Sequence, residues 1–123
     1  MDLKSRILIC EQDATLVQEI KESLQSHNYN AEVISDATQL ISRTQRMKPA
    51  VVVVNADMPG FNDHDICKHI INDLKIPVIL ILEKNSAKPV HIDDCRPEDI
   101  FTKPFKIEDL TNLISKQVTL SNN

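Results

Sequence analysis

The sequence predicts an open, doubly wound α/β domain built on a five-stranded parallel sheet. Two observations carry that prediction. Short aliphatic runs and amphipathic stripes alternate from one end of the chain to the other. The runs at 51–54 and 78–82 contain no polar residue at all, as expected of strands buried on both faces beneath helices. The length agrees: 123 residues suit one domain with a single substantial core.

The elements follow in order. Ile7, Leu8, Ile9 and Cys10 form the first strand. Residues 14–27 place Leu16, Val17, Ile20 and Leu24 on one helical stripe behind Asp13, a residue of N-cap type. Residues 31–34 read as the second strand, and 36–47 as a helix with Leu40, Ile41, Thr44 and Met47 on one side. Four consecutive valines within 50–54 make the third strand. Residues 65–74 carry Ile66, Ile70, Ile71 and Leu74 at helical spacing. Residues 78–82 are the fourth strand, 100–102 a brief fifth, and 107–118 a closing helix with Leu110, Leu113, Ile114 and Val118 inward. Right-handed crossovers place helices on both faces of a sheet ordered 2-1-3-4-5. The exception is 83–98, which holds Pro89 and Pro97 and few apolar residues. Its helix, the fourth, is expected to be short, about two turns between the prolines, or irregular. The domain is expected to span 1–120, with 121–123 a frayed C-terminal end.

Composition removes several classes of function. Fourteen basic against eighteen acidic residues give a net charge of −4, which argues against a nucleic-acid footprint by this domain. One glycine rules out glycine-rich phosphate loops, which need several points of close backbone approach. No apolar run approaches the roughly 20 residues of a membrane helix. The N-terminal apolar run of four residues meets an acid at once, so it is no signal peptide, and a cytoplasmic location is expected. Cys10, Cys67 and Cys95 are widely spaced and odd in number, so they are expected as neutral thiols with no disulfide framework. His91 and Cys95 fall one helical turn apart, too few ligands for a metal site. No nucleophile–base pair supports an enzyme.

In such a sheet, chemistry collects at the carboxyl ends of the strands near the switch in strand order. The residues there are Glu11, Gln12 and Asp13; Asn55, Ala56 and Asp57; Leu82 and Glu83; Thr102 and Lys103. Several carboxylates, one amide and one ammonium therefore meet. Asp13 reads as an N-cap and Asp57 as a solvated loop acid; a metal ligand and a replacement acceptor are the competing readings.

The segments ILICEQD, VVVVNADMPG, PVILIL and FTKPF resemble, in order and spacing, the signature segments of the two-component response-regulator receiver domain. The resemblance covers nearly the whole chain. It implies a flavodoxin-like fold and a pocket where an aspartate takes a phosphoryl group from a histidine kinase with Mg²⁺ bound. Carried over residue by residue, most of that pocket changes. The phosphoacceptor position, four residues before Pro59, is Asn55. The two acids after the first strand become Glu11 and Gln12. The hydroxyl position after the fourth strand becomes Leu82, and the switch aromatic becomes Ile100. Lys103 matches, followed by Pro104, in a bond the family often makes cis.

These changes share one chemical direction. An amide lacks the charge and free lone pair with which a carboxylate attacks phosphorus, so Asn55 is expected to be non-phosphorylatable. Mg²⁺ wants carboxylate oxygens, and two have become amides. At an effective dielectric of about 20, a divalent ion about 4 Å from a unit charge gains about 8 kcal/mol before desolvation, so their loss outweighs anything Glu11 adds. Weak or absent Mg²⁺ binding, no other cofactor, and a Lys103–Glu11 ion pair reaching towards Asn55 are expected in its place. Leu82 is expected to put apolar bulk where the hydroxyl would bind.

The reading is a degenerate receiver, a pseudo-receiver, acting by protein–protein contact without phosphorylation and without enzymatic activity. Candidate partners are a histidine kinase, an output domain or a second copy of the chain. The alternatives are a phosphorylatable receiver using Asp57 as a shifted acceptor and, more remotely, a small-ligand binder or enzyme that reuses the pocket.

Overall fold

The computed structural model describes residues 5–88 and 96–121. Five parallel strands, β1 (Arg6–Cys10), β2 (Asn30–Ile34), β3 (Val51–Asn55), β4 (Val78–Leu82) and β5 (Asp99–Thr102), form one sheet in the order β2-β1-β3-β4-β5. β3 and β4 are buried along their whole length and β1 from Ile7 onward, whereas the edge strands β2 and β5 are partly exposed. The unbroken aliphatic runs are thus the interior of the sheet.

Among the described residues, two helices cover each face. α1 (Ala14–Ser26) and α4 (Ile107–Ser121) pack Ile20, Leu24, Leu110, Ile114 and Val118 against Ile7, Ile9, Val51, Val53, Ile79 and Ile81. α2 (Leu40–Met47) is entered through a 3₁₀ turn at Ala37–Gln39. α3 opens at Asp63–Asp65 and continues as a π-helix over Ile66–Asp73. These two bury Leu40, Met47, Ile66 and Ile70 against Leu8, Cys10, Val52, Val54, Leu80 and Leu82. Strand side chains therefore alternate between two aliphatic layers, one per face, as a period of two demands.

Local chemistry sets the helix starts. Asp13 Oδ1 accepts the Leu16 N–H at 3.1 Å, so Asp13 is the N-cap of α1. Asp36 and Asn62 cap the 3₁₀ turn and α3 in the same way. With one glycine in the chain, left-handed backbone falls mostly on Asn28, Lys48, Lys75 and Asn85. Gly60 has φ +85°, and a Cβ there would lie 2.7 Å from Thr38 Cγ2, so the loop after β3 rests directly on the loop before α2.

Two expectations are corrected. The stripe at 65–74 is helical, but its body is π-wound: the Leu74 N–H reaches the His69 carbonyl at 3.2 Å. Neither Pro nor Gly interrupts it, and nothing in the sequence explains the winding. Cys67 is disulfide-bonded rather than a thiol, while Cys10 is free and buried. The expected short helix between Pro89 and Pro97, and the His91–Cys95 pair, also lie largely or wholly outside the described residues. α4 runs on to Ser121, past the expected boundary at 120.

Candidate functional site

The carboxyl ends of β1, β3, β4 and β5 enclose an open cleft of about 350 Å³, next to the switch in strand order. Glu11 leaves β1, Asn55 ends β3, Glu83 follows β4 and Lys103 follows β5. Pairing of Asn55 with Ile81 and of Leu82 with Thr102 brings the last three together. The Lys103 backbone N–H holds the Leu82 carbonyl at 2.9 Å, and the Lys103–Pro104 bond is cis.

Glu11 and Asn55 are both 2% exposed. A buried carboxylate needs partners, and Glu11 has four. Lys103 Nζ lies 3.0 Å from its Oε1. The backbone N–H groups of Gln12 and Asp13 donate to Oε2 at 2.8 and 3.2 Å. Asn55 Nδ2 donates to both oxygens at 3.2 Å. The Lys103–Glu11 pair, extended to Asn55, is the one read from the sequence.

A second carboxylate joins it. Glu83 Oε2 accepts from Lys103 Nζ at 2.8 Å and from Asn55 Nδ2 at 2.5 Å. Those bonds, Lys103's first and Asn55's second, hold the Glu83 carboxyl below the usual carboxylate range, despite some burial. For Lys103, burial is the largest influence and pulls its pKa down. The combined bonds and charges of Glu83 and Glu11 outweigh it and raise the ammonium above its ordinary value. Asp13 Oδ2 stands further off, 3.9 Å from Lys103.

The remaining oxygen of Asn55 faces the other way, accepting the Asp57 N–H at 2.8 Å. Its amide orientation follows from its neighbours: carboxylates only accept and a backbone N–H only donates. Asp57 in turn accepts the Glu83 N–H and the Ser86 hydroxyl, both at 2.8 Å, one on each carboxylate oxygen. Asp57 is thus the anchor of the turn after β4.

Mg²⁺, the ion the resemblance implies, does not fit these donors. Both oxygens of Glu11 and the oxygen of Asn55 are committed to N–H groups. Among the described residues, no three His, Cys, Asp or Glu side chains are grouped to hold a metal.

Leu82 departs from expectation. It does not line the cleft; it is 7% exposed and packs into the layer beneath α2 and α3. Its bulk fills the core, and the side chain that enters the cleft from the end of β4 is the next one, Glu83. Ile100 pairs with Leu80 and packs half-buried against the same layer. Phe101 faces the opposite layer, its ring 5.3 Å from that of Phe105. Gln12 is exposed at the cleft rim. Cys10, beneath the cleft, has its thiol pushed up to about 12 by burial, then by Glu11 and Asp36, and is no nucleophile. Met58 is buried and Phe61 half-buried against the core, so the loop after β3 is anchored.

The sequence places Glu83 in the strand-end cluster but gives it no role; its pairing with Lys103 and Asn55 comes from the structure.

This chain belongs to the response regulator receiver domain family: the family's sequence model matches residues 7–115. It is similar to the DNA-binding response regulator MtrA of Mycobacterium tuberculosis (strain H37Rv), 27% identical over 109 residues, covering 88% of this chain and 48% of MtrA. The sensory transduction protein BceR of Halalkalibacterium halodurans is 26% identical over 104 residues, covering 84% of this chain and 45% of BceR. The chain thus spans about half the length of these relatives. Among solved structures, a CheY-like receiver domain protein of Methanospirillum hungatei superposes with a TM-score of 0.80 at 24% identity, covering 98% of this chain and 99% of that one. A receiver domain of Clostridium thermocellum gives 0.78 at 18% identity, covering 96% and 97%. The fold is the flavodoxin-like receiver fold.

Proposed function

We propose that this chain is a receiver module of two-component signalling that works through protein–protein contact and is not itself phosphorylated. One observation carries the reading. Asn55 stands buried at the end of β3, its nitrogen given to Glu11 and Glu83 and its oxygen to the Asp57 N–H. A neutral amide so bound offers no nucleophilic oxygen. Lys103 is balanced by side chains of the chain itself, which supports weak or absent Mg²⁺ binding and no enzymatic step. The partner is a protein: a histidine kinase, an output domain or a second copy. Nucleic acid and membrane are not partners of this domain. The DNA-binding function in the name of MtrA belongs to a protein about twice as long. Among the described residues no helix is long and apolar enough to cross a membrane, which suits the cytoplasmic location we propose.

The competing reading makes Asp57 a shifted acceptor. Phosphorylation there would have to release the hydrogen bond on the attacking oxygen, one of the two that hold the turn after β4. Incubation of the chain with acetyl phosphate and Mg²⁺, followed by intact mass, separates the two. No phosphoryl gain is expected. A hydroxylamine-sensitive gain that disappears in Asp57→Ala would establish the shifted acceptor instead.

A further inference from the structure

Glu83 closes the site in a way that position 55 alone does not explain. Its Oε2 touches both Asn55 Nδ2, at 2.5 Å, and Lys103 Nζ, at 2.8 Å, closer than Glu11, whose carboxylate meets the same two atoms at 3.2 and 3.0 Å from within the buried floor. A phosphoryl group bonded to side chain 55 and held by Lys103 would need oxygens within hydrogen-bond reach of the same two atoms. We propose that Glu83 is a built-in occupant of the cleft, a carboxylate standing in the volume an entering phosphoryl group would use. With acids at positions 12 and 55, Lys103 and the Asp57-held backbone still keep Glu83 at the cleft, so phosphorylation is slowed while Glu83 remains. This inference rests on the reading above and adds a second barrier to it.

The seat of Glu83 is built from both ends of the residue. Its backbone N–H is held by Asp57 Oδ2 at 2.8 Å, and Asp57 Oδ1 holds the Ser86 hydroxyl at 2.8 Å. The Ser86 N–H closes back on the Glu83 carbonyl at 3.1 Å, with Asn85 at φ 66° completing the turn. Further along, Lys88 lies over the Phe61 ring and within 3.9 Å of Asp63. The turn after β4 is thereby tied to the loop after β3 and the start of α3 by contacts within the chain. An incoming dianion would meet the charge of Glu83 at contact distance, with Glu11 and Asp57 beside it. To leave, Glu83 must give up a charge-assisted bond and an amide bond together. Glu83 thus decides which anion Lys103 serves.

The test compares two full-length chains, Gln12→Asp/Asn55→Asp and the same chain with Glu83→Ala added, each given acetyl phosphate and Mg²⁺. In the step read out, a carboxylate oxygen of residue 55 bonds to phosphorus, the phosphorus–oxygen bond to the acetyl group breaks, and acetate leaves. At least about a tenfold greater phosphoryl gain is expected when Glu83 is removed, the ratio that one unit of pK-sized interaction supplies. Equal gain by the two chains, or none by either, overturns the proposal. Gain by the wild-type chain overturns the non-phosphorylated reading instead, so the two failures are distinct. Should the substituted chains not fold, the carboxyl-carbon shift of Glu83 in the wild-type chain is followed against pH. A midpoint below the ordinary carboxylate range, mirrored by the Asn55 side-chain amide, is expected. An ordinary midpoint, with the Asn55 amide indifferent to it, refutes the seat.

Discussion

The interior of the sheet and the carboxyl ends of the same strands obey opposite rules. Inside, β1, β3 and β4 bury Ile, Val and Leu side chains in two layers that need only volume and period. One step beyond, Glu11, Asn55, Glu83 and Lys103 fit together only because each charge or amide group finds a partner in the others. The first region tolerates any aliphatic of the right size; the second is specified atom by atom. Stability is thus a matter of area in one region and of pairing in the other.

Truncation in the interior should give the largest effect. Ile79 is fully buried in the layer under α1 and α4, and Ile79→Ala should cost about 2–5 kcal/mol, read as a lower denaturation midpoint with an unchanged slope. At the strand ends, Lys103→Met leaves the Glu11 carboxylate, with 1% of its side chain exposed, without its cation. A loss of about 3 kcal/mol is expected. Adding Glu11→Gln should recover part of it, which no volume-based account predicts; a purely additive double variant would break the comparison.

Gly60→Ala probes the seam between the loops before α2 and after β3. The positive φ and the Thr38 contact together should cost about 1–3 kcal/mol, and Thr38→Ala should relieve only the contact share. The pairing at the strand ends also fixes a pH signature. The Glu83 pKa is lowered on folding, so its stabilisation is present above the unfolded value and is lost as pH falls through the folded one. The Lys103 pKa is raised, so its share is present below the unfolded value and is lost as pH rises through the folded one. Glu83→Gln should flatten the acid limb of the stability profile, a small effect because the side chain is half exposed. Smallest of all, Thr44→Val should be neutral or gain up to about 1 kcal/mol by thermal denaturation, since the buried Thr44 hydroxyl has no hydrogen-bond partner among the described residues.

The same contrast explains what could be read before the structure. Hydrophobic period is local, so the strands and the two layers were legible from runs such as Val51–Asn55 and Val78–Leu82, while the order of the sheet came with the doubly wound topology. The Lys103–Glu11 pair followed from opposite charges assigned to the carboxyl ends of β1 and β5, which face one cleft. The role of Leu82 did not, because a side chain at a strand terminus faces the core or the cleft according to the pleat, and a shift of one place exchanges the two. That same shift left Glu83 in the cluster without a role. Cys67 shows a second limit: spacing along the chain does not say which sulfurs meet in space.

The central claim, that this cleft is satisfied by its own side chains, is tested most directly by titrating the wild-type chain with Mg²⁺ and beryllofluoride while following backbone amide shifts. Residues 11–13, 55–60 and 82–86 are predicted to stay in place at millimolar Mg²⁺. Saturable movement of those amides would show that metal and phosphoryl analogue enter after all, and would contradict the account.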